Sequence, residues 1–140
     1  METVLIDLDD TICDFTSSFK LRLKKHPEIV YPQSQWGFFL GLEPLPDAID
    51  VINMLRTKYK VYILTRPSYK NPLCYTEKRV WVEKHFDLDF CKNLILCYDK
   101  SMVKGNYLID DNIHVGFEGE HIHFGKEKFT NWQAVKNYLL

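Results

Sequence analysis

The amino-acid sequence predicts an α/β fold, a Rossmann-like parallel sheet of about five strands with helices on both faces. Short apolar runs alternate along the chain with segments whose apolar residues recur at helical spacing. Three of the runs end in polar residues that are capable of chemistry. In such sheets, ligands bind at the carboxyl ends of the strands. With 140 residues, we expect one domain covering residues 1–140.

The first half of the chain predicts two strands and two helices around an insertion. Residues 3–8 form the first strand. The helix that follows has an apolar stripe formed by Ile12, Phe15, Phe19 and Leu23. Residues 27–44 are rich in proline, glycine and aromatic residues without a clear period, which indicates a small insertion. A helix beginning near Pro46 and a strand over residues 60–64 come next.

The second half predicts a helix, three strands and a final helix. The helix covers about residues 76–85, and the strands cover residues 94–96, 106–109 and 121–124. The segment Thr130-Asn-Trp-Gln133 has the spacing of a capping box and should open the last helix. Strands that alternate with helices in this way are typical of a parallel sheet.

Composition excludes several classes of function. The net charge is −1, so a nucleic-acid polymer is not the expected main ligand. We see no apolar run near the length of about 18 residues that a membrane span needs, and no signal peptide. The four cysteines are scattered without the Cys-x-x-Cys spacing of zinc sites. A reducing, cytoplasmic location is therefore expected.

The segment Asp7-Leu-Asp9-Asp10-Thr11, which directly follows the first strand, is the strongest functional signal. Alternation along an extended chain sends Asp7 and Asp9 to the same side. Like charges this close repel unless a cation or a shared proton intervenes. The segment predicts a Mg²⁺ site with one carboxylate free to act as a nucleophile. The alternative is an acidic helix start, with Asp10 or Thr11 as the N-cap.

Two further strands end in comparable residues. The strand over residues 60–64 leads into Thr65 and Arg66, and the strand over residues 106–109 leads into the pair Asp110-Asp111. Because the strand ends converge, we expect Asp110 to be a second metal ligand. Asp111 is either a further ligand or orients a metal-bound water. Taken alone, the pair also fits an ordinary Asp-Asp-Asn turn.

These residues, in this order, resemble the signature of the haloacid dehalogenase-like (HAD-like) phosphatases. The signature is Asp-x-Asp-x-Thr, a hydrophobic strand ending in Thr, a lysine and Asp-Asp. Within that superfamily, the blocks at residues 38–46, 77–86 and 99–111 resemble the 5′(3′)-deoxyribonucleotidases of the cytosolic type C nucleotidase family. The resemblance extends from about Val4 to Trp132. It implies the strand order 5-4-1-2-3 and a small cap insertion at about 27–44.

The resemblance also implies roles for the site residues. Asp7 would be the nucleophile and a metal ligand. Asp9 would be the general acid and base, and would bind the metal through its backbone carbonyl. Thr65 would hydrogen-bond the phosphate. The nucleotidase blocks favour Lys78 as the residue that balances phosphate charge.

The choice of lysine and the substrate-binding residues stay open. The general superfamily pattern favours Lys100 or Lys104 rather than Lys78. Arg66 either binds phosphate or points to solvent. Phe15 belongs to the apolar stripe of its helix, yet the family pattern places an aromatic residue here at the mouth of the crevice, where it would stack on a nucleobase. Trp36, and beside it Phe38 and Phe39, are further candidates for base stacking.

The predicted function is a magnesium-dependent phosphomonoesterase that dephosphorylates (deoxy)ribonucleoside monophosphates through an aspartyl-phosphate intermediate. One alternative is a phosphatase of the same chemistry that acts on another small phosphate ester or on a nucleic-acid 3′-phosphate. An alternative from another class is a non-catalytic phosphate-sensing module such as a receiver domain. The expected partner is a small-molecule phosphate ester, and no interaction with a membrane is expected. Base preference, the choice of 5′ or 3′ phosphate, and homodimer formation stay open.

Overall fold

The computed structural model describes residues 1–140. The five strands are β1 (Thr3–Ile6), β2 (Lys60–Thr65), β3 (Leu94–Leu96), β4 (Tyr107–Asp110) and β5 (Glu120–His123). The four α-helices are α1 (Phe15–Lys25), α2 (Ala48–Lys58), α3 (Leu73–His85) and α4 (Trp132–Leu139). Three short 3₁₀ helices cover Pro32–Ser34, Asp89–Asn93 and Lys100–Met102.

All five strands are parallel and form one sheet in the order β3-β2-β1-β4-β5. This is the predicted order 5-4-1-2-3 counted from the other edge, so the α/β class and the topology are confirmed. The first strand is central: Val4 pairs with Val61 of β2 and with Tyr107 of β4. Because the strands run the same way, the residues that follow them share one edge of the sheet.

The two faces of the sheet are covered unequally. Alternation along β1 sends Val4 and Ile6 into a large apolar cluster, to which α2, α3 and α4 all contribute. Leu5 points to the opposite face, into a small cluster with Leu64 and Leu108. There the covering residues include Val103 and Phe117, from the short connections around β4. The 3₁₀ turn Lys100–Met102 belongs to one of these connections.

Helix α1 begins later than its apolar stripe suggests. Asp14 is the N-cap, and its side chain accepts a hydrogen bond from the amide of Ser17 at 3.0 Å. Asp10, with φ 62°, accepts from the amides of Phe15 and Thr16 at 3.0 and 2.9 Å. Ile12 is fully buried but lies in the turn before the helix. The alternative interpretation, with Asp10 or Thr11 as the N-cap, is therefore wrong, although Asp10 binds two amides of the first turn of α1 beside the pocket described below.

Two other helix starts also differ from the sequence prediction. Helix α3 begins at Leu73, three residues before the predicted Thr76. The N-cap of α4 is Asn131, whose side chain accepts from the amide of Ala134 at 2.9 Å, so the predicted capping box at Thr130 is wrong by one residue. The predicted buried stripe of α2 is confirmed at Ala48, Val51, Ile52 and Leu55.

The insertion at residues 27–44 is mostly irregular and is fastened to α3. Its one regular element is the 3₁₀ turn Pro32–Ser34. The carboxylate of Glu77 is fully buried and accepts backbone hydrogen bonds from Gly37, Phe39 and Leu40, at 3.1–3.2 Å. Since a buried carboxylate needs such partners, Glu77 fixes this segment next to Lys78, its neighbour in sequence. That the segment acts as a cap stays a prediction.

None of the helices combines the length and the apolar composition needed to cross a bilayer. All four cysteines are free thiols.

Candidate active site

The carboxyl edge of the sheet holds a polar pocket of about 220 Å³. The pocket has no hydrophobic lining residue. Its lining residues are Asp7, Asp9, Asp10, Arg66, Lys100, Asp111, Asn112 and His114. They come from the segments that follow β1, β2, β3 and β4. The predicted convergence of the strand ends therefore brings most of the predicted site residues together.

Lys100 lies between two buried carboxylates. Its Nζ is 2.6 Å from Oδ1 of Asp7 and 2.7 Å from Oδ2 of Asp110. All three side chains are less than a tenth exposed. Burial raises the pKa of Asp7 well above its ordinary value, although Lys100 acts in the opposite direction. Burial lowers the pKa of Lys100, but the negative charges of Asp7 and Asp110 outweigh the effect of burial. The pKa of Lys100 is therefore raised.

Lys78 forms a second buried contact, with Asp9 and Thr65. Its Nζ donates to Oδ2 of Asp9 at 3.0 Å, to Oγ1 of Thr65 at 2.5 Å and to the carbonyl of Arg66 at 3.0 Å. Its side chain is 1% exposed. The structure thus brings both Lys78 and Lys100 to the site, whereas Lys104 is exposed.

Asp111 and Thr11 complete the acidic cluster. Oγ1 of Thr11 is 3.3 Å from Oδ2 of Asp7 and 3.4 Å from Oδ1 of Asp111. Burial raises the pKa of Asp111. Sequence reasoning considered Thr11 only as a helix cap, although it is the Thr of the Asp-x-Asp-x-Thr motif. Its hydroxyl instead joins the carboxylates that follow two different strands.

Sequence reasoning missed His114. Its Nε2 is 2.9 Å from Oδ2 of Asp110. Burial lowers the pKa of His114, against the pull of Asp110. The residue lies in the irregular connection between β4 and β5, where no periodicity marks it. His121 and His123 lie on the edge strand β5, and Nε2 of His123 is 2.9 Å from the carbonyl oxygen of Asp111.

When every carboxylate is counted as ionised, the cluster has a formal excess of negative charge. Four carboxylates, those of Asp7, Asp9, Asp110 and Asp111, face only two buried ammonium groups. Oxygen atoms of Asp7, Asp110 and Asp111 lie within 4.8 Å of one another. Carboxylate oxygens are hard ligands that suit Mg²⁺ or Ca²⁺. The excess of two negative charges fits one divalent cation, so these three aspartates could hold such an ion.

Arg66 lines the pocket but is exposed. Its Nε donates to the carbonyl of Tyr98 at 2.9 Å, and its guanidinium lies 4.7 Å from the centre of the Tyr98 ring. The side chain of Arg66 therefore borders the pocket and is held against Tyr98. That it binds phosphate stays a prediction.

Phe15 and Trp36 lie outside the lining of the polar pocket. Phe15 is partly buried and packs with Phe19, Phe38 and Phe39, at ring-centre distances of 5.4–6.1 Å. Trp36 is 65% exposed. The backbone amide of Phe15 donates to Asp10 of the pocket at 3.0 Å, and the role of Phe15 and Trp36 in binding a base stays a prediction.

Comparison with known proteins gives a consistent result. Residues 24–139 match the family described as 5′ nucleotidase, deoxy (pyrimidine), cytosolic type C protein. A protein of Vibrio phage KVP40, provisionally named 5′(3′)-deoxyribonucleotidase, is 37% identical over 97% of this chain and 83% of its own length.

Two human relatives are similar over most of their length as well. The Homo sapiens 5′(3′)-deoxyribonucleotidase of the cytosolic type is 29% identical over 94% of this chain and 77% of its own length. The mitochondrial one is 30% identical over 94% of this chain and 68% of its own length. Because these relatives come from two compartments, the cytoplasmic location of this chain stays a prediction.

The position of Lys100 leads to a prediction about stability. In metal-free buffer, Lys100→Met should lower the free energy of unfolding by about 3 kcal/mol, because Asp7 and Asp110 would be left buried without a cation. The measurement is chemical denaturation. Lys104→Met is the matched control, and a change at this exposed residue should stay within about 0.5 kcal/mol. Equal effects of the two substitutions would show that Lys100 does not compensate the buried carboxylates.

Proposed function

Because this chain belongs to the family of deoxy (pyrimidine) 5′ nucleotidases of cytosolic type C, we propose that it hydrolyses deoxyribonucleoside monophosphates to nucleoside and inorganic phosphate. The observation that supports this most is the acidic pocket, where carboxylates and buried lysines share the carboxyl edge of the sheet. Nucleotidases are phosphoric monoester hydrolases, and such a pocket offers both a nucleophile and compensating charge.

In the proposed first step, the carboxylate of Asp7 attacks phosphorus. The new bond is an acyl phosphate on Asp7, and the bond between phosphorus and the ester oxygen breaks. Asp9 donates its proton to that oxygen, so that the nucleoside leaves as a neutral alcohol. Lys78 lies beside both Asp9 and Thr65. It therefore supplies positive charge where the phosphate oxygens would lie, and Thr65 supplies a hydroxyl donor.

In the second step, water attacks phosphorus of the acyl phosphate. Asp9 is now a carboxylate and takes the proton of that water. The bond between Asp7 and phosphorus breaks, which releases inorganic phosphate and restores the Asp7 carboxylate. Splitting the reaction into two displacements replaces one difficult attack by water with two easier steps.

We propose Mg²⁺ as the cofactor, held by carboxylates of Asp7 and Asp110 and by the backbone carbonyl of Asp9. Asp111 is the nearest further carboxylate. When bound, the ion would neutralise charge on phosphate and on the carboxylates. The raised pKa of Asp7 supports this assignment, because Lys100 alone does not offset the burial of that carboxylate. A nearby divalent cation favours the ionised form that attack on phosphorus requires.

Asp7→Asn should abolish phosphate release from deoxyribonucleoside monophosphates, because an amide cannot form the acyl phosphate. The measurement is phosphate release in the presence of Mg²⁺, and again with a chelator in place of Mg²⁺. We expect the chelator to abolish the activity of the parent protein as well. Asp47→Asn, in the loop before α2, is a control that should leave turnover unchanged. Near-parental turnover by Asp7→Asn would contradict the mechanism.

Asp9→Asn should slow the hydrolysis of a nucleotide far more than that of nitrophenyl phosphate. The alkoxide of a nucleoside needs a proton to leave, whereas nitrophenolate does not, and general acid–base help is typically about 10²–10⁴-fold. The measurement is kcat/KM for both substrates. Equal losses would assign Asp9 to metal binding or to structure instead.

A further inference from the structure

His114 is a residue of the acidic pocket to which the proposed reaction assigns no role. It lines the pocket, but its Nε2 is buried and lies 2.9 Å from Oδ2 of Asp110. Two lone pairs at this distance would repel, so Nε2 carries a proton, whose partial positive charge attracts the carboxylate. A buried nitrogen beside Asp110 is not placed to contact a phosphate in the open pocket. His114 therefore acts on the site through Asp110.

The carboxylate of Asp110 is held at both of its oxygens. Nζ of Lys100 lies 2.7 Å from Oδ2, the same oxygen that His114 approaches. Oδ1 accepts a hydrogen bond from the amide of Asn112 at 2.9 Å. Each carboxylate oxygen offers about two lone pairs. Lys100 and His114 thus occupy Oδ2, whereas Oδ1 keeps a lone pair that can bind a cation.

The loop that carries His114 packs on the turn that carries Lys100. The carbonyl of His114 accepts a hydrogen bond from the amide of Phe117 at 3.2 Å. Gly116 lies within this turn at φ 95°, and a side chain here would come within 3.2 Å of Cβ of Ser101, the residue after Lys100. Glycine permits both the left-handed backbone and the close approach. The contact between the two connections therefore fixes both residues that face Oδ2.

Histidines of β5 support the same loop. The ring of His121 lies 6.5 Å from the ring of His114, with 22° between their planes. Nε2 of His123 is 2.9 Å from the carbonyl oxygen of Asp111. The side chain of His114 is 13% exposed, so its ring is largely enclosed by these neighbours. Contacts of this kind, one step away from a metal ion, hold its ligands in orientation.

We propose that His114 is a positioning residue, which orients Asp110 for the binding of Mg²⁺. The inference rests on the proposed function, which assigns Mg²⁺ to Asp7 and Asp110. By facing Oδ2 together with Lys100, His114 keeps the carboxylate from rotating and keeps Oδ1 available to the ion. Loss of such a partner typically lowers the affinity for the metal about 10–100-fold.

The test is calorimetric titration of Mg²⁺ into the metal-free full chain and three variants. His114→Phe keeps an aromatic ring but removes the donor, and it should weaken Mg²⁺ binding about 10–100-fold. His114→Gln removes the ring but keeps an N–H donor, and it should bind Mg²⁺ within about threefold of the parent protein. His26→Phe, at an exposed histidine that ends α1, is the control and should bind as the parent does. Melting temperatures of all four proteins identify any loss of folding.

The contrast between the two variants separates orientation from packing. If packing of the ring were the whole role of His114, His114→Phe would bind Mg²⁺ as the parent does and His114→Gln would bind it more weakly. Unchanged binding by His114→Phe would overturn the proposal, as would equal weakening in both variants. Tighter binding by His114→Phe would overturn it too, because His114 would then be a cation that competes with the ion.

Binding also separates this inference from the proposed function. If Mg²⁺ binds as expected to the parent and to the variants, but the parent releases no phosphate from deoxyribonucleoside monophosphates, the proposed function fails and the role of His114 stands. If the parent is active and His114→Phe binds Mg²⁺ equally well, the proposed function stands and the inference fails. Absence of Mg²⁺ binding by the parent protein would overturn both.

Discussion

The arrangement of this protein depends on the repulsion between carboxylates at one edge of its sheet. Asp7 follows β1 and Asp110 ends the neighbouring parallel strand β4, and both are buried. Parallel pairing of β1 with β4 brings the two together, and low exposure strengthens their repulsion. A fold that keeps them there must provide positive charge at the same place. Lys100 provides part of it, and the raised pKa of Asp7 indicates that the compensation is incomplete.

The other features of the site follow from this constraint. Lys78 reaches it from α3, and Lys100 reaches it from the connection after β3. Each has a buried side chain, which lysine rarely has unless it is paired. The residue that precedes Lys78, Glu77, instead accepts a hydrogen bond from the backbone of the insertion and so fixes that segment. Two successive residues of α3 thus contact the insertion and the acidic cluster, respectively.

Prediction from the sequence was most successful where chemically capable residues stand directly at the end of an apolar strand. The parallel sheet and the meeting of Asp7, Asp9, Thr65 and Asp110 followed from apolar runs that end in polar residues, whereas the strand order followed from the family resemblance. It failed where irregular backbone decides the contact: His114 reaches Asp110 from a loop, and Asn131 rather than Thr130 caps α4.

The most direct test of the account is calorimetric titration of Mg²⁺ into the metal-free protein, in buffers of different ionisation enthalpy. If the carboxylates exceed the buried cations, one ion should bind per chain. Binding should also release protons, because burial raises the pKa of Asp7 and a bound cation favours the ionised carboxylate. Asp110→Asn should weaken this binding strongly. Absence of binding, or binding that neither releases protons nor responds to Asp110→Asn, would contradict the account.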